Sequence, residues 1–127
     1  MMTSNQIVSF VARYYKENGG LLANVYKHSR PTVDAGSEYV VVNSLDIPNK
    51  LLQELIVNVN LHVNDINSTV PNTARLEELE SNAYNVLDKV HSGEIDLYIQ
   101  TSKTFRENSL NEHYVNIRLL VKILKNS

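Results

Sequence analysis

Four histidines and fourteen carboxylates are the side chains of this 127-residue chain that could do acid–base or metal chemistry. Such chemistry needs them at matched spacing or on elements that pair. The histidines lie far apart. His62 and His113 fall in segments that read as strands, and they would approach each other if those strands paired. A metal would still need a third ligand and groups behind it to orient the first two, and none is evident. Surface or interface histidines are the plainer reading. Glu77, Glu78 and Glu80 invite a paired-carboxylate reading, but they sit near the start of a helix, where the dipole favours acids. Gly19-Gly20 lacks the rest of a phosphate loop and reads as a helix stop. No serine lies in a nucleophile-elbow context. Cysteine is absent, which excludes disulfides, zinc–thiolate sites and thiol chemistry and fits a reducing compartment. The residues therefore predict no catalytic, cofactor-binding or metal-ligating position, and a protein that is not an enzyme.

Tyrosine is the other residue type with binding chemistry. Tyr14, Tyr15, Tyr26, Tyr39, Tyr84, Tyr98 and Tyr114 stand against two phenylalanines and no tryptophan. Exposed rings on a basic sheet would suggest single-stranded nucleic acid, because bases stack on them. The strands lack the Lys/Arg interleaving such a surface uses. Core edges or protein–protein contacts, where a large ring with a polar tip is useful, fit better.

The elements that must position these residues follow from periodicity. Thr3 or Ser4 caps a first helix with Ile7, Phe10, Val11 and Tyr14 on one face, ended by Gly19-Gly20. Asn24–Lys27 is a short strand, and Arg30–Ser37 a loop punctuated by Pro31 and Gly36. Glu38–Asn43 is a β-branched run with too little polarity for an exposed strand, so it is central or buried on both faces. Ser44–Leu52, with Pro48, is a turn. In Leu55–Asn64 the residues Leu55, Val57, Val59, Leu61 and Val63 alternate with Ile56, Asn58, Asn60, His62 and Asn64. That is a strand with one apolar and one amide-lined face.

A polar segment, Asp65–Thr73, leads to a second helix capped by Asn72 or Thr73. Leu76, Leu79, Ala83, Val86, Leu87 and Val90 form its apolar stripe, and Lys89, His91 and Gly93 mark its end. Ile95, Leu97 and Ile99 alternate with Asp96, Tyr98 and Gln100. The strand Ile95–Thr101 carries one charge, Asp96, and would be poorly protected at a sheet edge. Ser102–Asn111 reads as a long polar linker, and His113–Leu124 as a last strand with Val115, Ile117, Leu119, Val121 and Ile123 inward. The fold class is α+β: a mostly antiparallel sheet of about five strands packed against two helices, as one domain over residues 1–127.

Composition is that of a globular domain, 43% hydrophobic and 20% charged, with a formal net charge of −2. No basic arm or stripe suggests phosphate neutralisation. The start, MMTSNQIVSF, shows no basic n-region and no apolar h-region, and no stretch is long and apolar enough to span a membrane. Asparagine is frequent but scattered, not clustered in a prion-like tract.

The order of helix, strand, EYVVVN strand (Glu38–Asn43), VNVNLHV strand (Val57–Val63), helix with the RLEELESNAYNVLDKV stripe (Arg75–Val90) and two long strands resembles the phage tail terminator and tail-completion family of head–tail neck proteins. Members often pair a tyrosine-led β-branched run ending in asparagine with a Val-Asn-Val strand. Asn43, Asn58 and Asn60 match that pattern, and the resemblance spans about residues 3–124. It implies an α+β subunit without catalytic residues that assembles as a homo-oligomeric ring, typically a hexamer, between head and tail. It implies contacts with phage tail-tube and head-neck proteins, DNA passing through the ring without specific binding, no membrane, and a place in the virion after synthesis in the bacterial host cytoplasm. The polar loops Arg30–Ser37, Asp65–Thr73 and Ser102–Asn111 are the expected subunit contacts. A small non-catalytic adaptor or binding module unrelated to phage is the alternative.

Overall fold

A computed structural model describes residues 3–20, 24–29, 38–45, 54–67, 70–107 and 110–123. The expected loop Arg30–Ser37 and most of the expected turn Ser44–Leu52 lie outside them. Helix α1 (Ser4–Asn18) opens on a capping box: the Thr3 hydroxyl accepts from the Gln6 N–H, and the Gln6 side chain accepts from the Thr3 N–H. Its buried face is Ile7, Val8, Val11, Ala12 and Tyr15. The expected stripe was rotated by about one residue. Phe10 and Tyr14 sit at its margin, stacked on each other at 5.9 Å. Burial pushes the Tyr15 phenol pKa well above its ordinary value. The chain leaves the helix through Gly20, the residue that takes the left-handed conformation, at φ 61°.

Six strands follow: β1 (Asn24–Lys27), β2 (Tyr39–Ser44), β3 (Glu54–Asn64), then, after helix α2 (Thr73–Leu87), β4 (Val90–Ser92), β5 (Ile95–Glu107) and β6 (Glu112–Ile123). They form one sheet in the order β1-β2-β3-β6-β5-β4. Among the described residues the β1–β2 pair is parallel and every other pair antiparallel, so the sheet is mixed and has six strands where about five were expected. Both helices cover the same face. α1 lies over β1 and β2; α2 lies over β3, β6 and β5 and touches α1. Between them sits the core, with Val57, Val59, Leu61, Leu97, Ile117, Leu119 and Val121 from the sheet and Val8, Val11, Leu79, Ala83 and Leu87 from the helices. The expected phase of β3 holds: Leu55, Val57, Val59, Leu61 and Val63 all enter this core. β2 is buried on both faces from Tyr39 to Val42, as its composition required.

Two boundaries differ from the sequence reading. α2 begins at Asn72, whose side chain accepts from the Arg75 N–H, but it stops at Leu87 and does not run to Val90. The Asp88 carboxylate accepts instead from the Ile99 N–H of β5, and Lys89 turns the chain at φ 55°. Val90–Ser92 then pairs with Ile95–Leu97 as a hairpin whose turn uses Gly93 at φ 60°. Gly93 therefore serves a β-turn and not a helix end. The second difference is larger. Ser102–Glu107, expected as linker, continues β5. Ile99 and Thr101 pair with the adjacent residues Leu119 and Arg118, so Gln100 is an extra, bulged residue. Simple alternation from Ile99 would carry Thr101, Lys103 and Phe105 inward. The bulge resets the count, turns Ser102, Thr104 and Arg106 toward the helices, and sends Lys103 and Phe105 to the other face.

Candidate functional site

The face away from the helices is covered by no described element, yet part of it is buried. Tyr39, Val41, Asn58, His62 and Glu112 are all at most 9% exposed. The register explains how. Tyr39, His62, Tyr114 and Phe105 lie opposite one another on β2, β3, β6 and β5. Their rings stack in a row: Tyr39 on His62 at 4.4 Å and 8°, His62 on Tyr114 at 4.7 Å and 26°, Tyr114 on Phe105 at 5.5 Å and 28°. Tyr26 of β1 leans on Tyr39 at 6.4 Å. The row thus crosses five strands and ends at Phe105, 44% exposed.

Glu112 closes the row from below. Its carboxylate is buried, accepts a short hydrogen bond from the Tyr39 hydroxyl, and meets His62 Nδ1 at 3.1 Å. A buried carboxylate needs such partners, because desolvating it alone costs several kcal/mol. Above the row lies an amide network. Asn116 Nδ2 donates to Asn60 Oδ1 at 2.7 Å and to Asn58 Oδ1 at 3.2 Å, and Asn58 Nδ2 donates to Asn43 Oδ1 at 3.3 Å. The three asparagines of the strand motifs are therefore joined, Asn43 to Asn58 directly and Asn58 to Asn60 through Asn116.

The histidines expected to approach each other do sit on paired strands, one register step apart. They point to opposite faces of the sheet. His62 meets Glu112 on the outer face; His113 meets Asp65 on the inner side, Nδ1 to Oδ1 at 2.6 Å. The Asp65 side chain is 1% exposed, and its Oδ2 is the buried side-chain atom without a hydrogen-bond partner among the described residues. No group of three or more metal-ligating side chains occurs among the described residues. Glu77, Glu78 and Glu80 do not converge: Glu78 pairs with Arg75 at 3.0 Å, and Glu80 accepts from the Ser102 hydroxyl at 2.8 Å. Arg75 also forks onto Glu38, Nε and Nη2 to the two carboxylate oxygens at 2.8 and 3.0 Å, tying α2 to the start of β2. That hydrogen bond raises the arginine's pKa further.

This arrangement limits what the outer face can do. A stacking platform for nucleobases must offer ring faces to solvent. Here the rings of the row occupy one another's faces, and Phe105 at its end is the ring with substantial exposure. His62 and Glu112 hold each other in a largely dry setting. Phe105, Asn116, Glu112 and Asp65 were not foreseen as site residues, and the last two each pair with a histidine about fifty positions away. Only the register could reveal them.

No family model matches the chain, and no curated protein matches it significantly. No described helix is long and apolar enough to cross a membrane.

Proposed function

We propose that this chain is a structural subunit of a phage neck or tail end, assembling as a ring of identical copies that caps the tail tube or joins tail to head. The observation that supports it best is the outer sheet face. Its buried polar groups are bonded to one another, beside a stacked ring row and an amide network, and the row runs out to an exposed phenylalanine beside a sheet edge with no described partner strand. A face built this way is rigid and recognises shape, which suits a joint. The element order and the Asn43, Asn58 and Asn60 pattern that resemble the tail-terminator family give the particular assignment. In the ring, DNA passes through without specific binding, and the contacts beyond the ring are tail-tube and neck proteins.

Mass-spectrometric protein inventory of purified particles from infected cells tests the assignment. The protein is expected at a fixed low copy number with head or tail components. Absence from particles, with no head or tail protein co-purifying, overturns it. The adaptor alternative then stands, and the trough between α1 and β1, about 450 Å³, is where an extended peptide would add to the sheet.

A further inference from the structure

We propose that the β1 edge of one copy pairs with the β5 edge of the next, so that the sheet runs on from subunit to subunit head to tail. This rests on the ring reading and names the surfaces that close it. Three observations carry it.

The first is the two edges. β1 pairs only with β2, and no described strand lies on its other side. β4 covers only Ile95–Leu97 of β5, and no described strand lies beside Gln100–Arg106 on that side. Unpaired strand edges are templates for another chain. Beside β1 the flank of α1 overhangs the sheet. Ser9, Ala12, Arg13 and Lys16, at helical i, i+3, i+4, i+7 spacing, form one wall of the 450 Å³ trough, and β1 forms its floor. Strand direction agrees as well. β1 and β2 run one way and β5 the other, so copies related by rotation about an axis along the strands present β1 to β5 antiparallel, the better-bonded arrangement.

The second is charge. The trough side carries Arg13, Lys16 and Lys27, with Glu17 at its border. On the other end of the sheet, Glu77, Glu80 and Tyr84 form the flank of α2 above β5, where Glu80 and Tyr84 both reach Ser102. Arg106 is the cation of the inner β5 row there. In a continued sheet both helices stay on one face, so a basic flank meets an acidic one. The two-fold alternatives, β1 on β1 or β5 on β5, set like flanks together and are penalised.

The third is the ring row. It starts at Tyr26 on β1 and ends at Phe105 on β5, both on the outer face. Joining the edges brings the exposed Phe105 toward Tyr26 of the next copy, so the stacked row becomes a belt.

Sedimentation over a concentration series tests this with the full-length chain and the variants Arg13→Glu, Glu77→Arg and the double swap, with circular dichroism confirming that each is folded. The wild type is expected to associate. Each single swap sets like charges opposite and weakens association about tenfold, while the double swap, or an equal mixture of the two single variants, restores it. Wild-type rings indifferent to the swaps, or a double swap no better than either single one, overturn the edge assignment and leave the ring reading intact. A wild type that stays monomeric throughout overturns the edge assignment, and the particle inventory then decides the ring reading separately.

Discussion

The two faces of one sheet solve the same burial problem with different chemistry. Under the helices, β3 and β6 contribute an apolar layer: Val57, Val59 and Leu61 against Leu119, Ile117 and Val115. On the opposite face the same strands carry Asn58, Asn60 and His62 against Arg118, Asn116 and Tyr114. The inner face is stabilised by area removed from water, which tolerates no charge but is indifferent to hydrogen-bond geometry. The outer face depends on partners being present. Its buried and half-buried polar groups come as sets, Tyr39 with His62 and Glu112, Asn43 with Asn58, Asn60 and Asn116, and losing one member takes a partner from the others.

Substitutions on either side of adjacent residues separate these modes. Val59→Asp places a carboxylate in the apolar layer at a fully buried position and is expected to cost about 4 kcal/mol or more, enough to leave no cooperative unfolding transition by circular dichroism. On the outer face the largest effect belongs to Glu112→Ala. It removes the carboxylate that the Tyr39 hydroxyl donates to and that His62 meets, and is expected to cost about 1–3 kcal/mol in urea unfolding, with Glu112→Gln milder because an acceptor remains. A cost as large as that of Val59→Asp would show that the outer face is as intolerant as the core.

The sequence made the inner face readable and the outer one opaque, for a physical reason. Period-two alternation in Leu55–Asn64 and in Val115–Ile123 reports directly which residues avoid water, so the core strands and their phase were legible. Alternation fails at Gln100, because a bulge changes the parity without changing composition. Ser102–Glu107, polar enough to pass for a linker, is thus a strand exposed along most of its length. The end of α2 was missed for a related reason: Val90 continues the helical stripe in sequence, but the Asp88 side chain bonds β5 and the chain turns at Lys89. The His62–Glu112 and His113–Asp65 pairs join residues about fifty apart, and no local pattern encodes them.

Two smaller substitutions sharpen the contrast. Asn116→Ala removes the donor shared by Asn58 and Asn60 and is expected to cost about 1 kcal/mol by thermal or urea unfolding. Asn60→Asp keeps the acceptor that Asn116 uses, on a half-buried side chain, and should shift stability by less than about 0.5 kcal/mol in an isolated subunit. One residue away from Val59, that near-neutrality is the sharpest expression of the difference between the faces.

The proposal that this subunit is a repeated joint of a phage neck or tail is tested most directly by a density map of purified particles. The expected result is a closed ring of this subunit at the neck or tail end, its sheet continuing from each β1 to the neighbouring β5. A particle map with no such subunit at either end of the tail would contradict it.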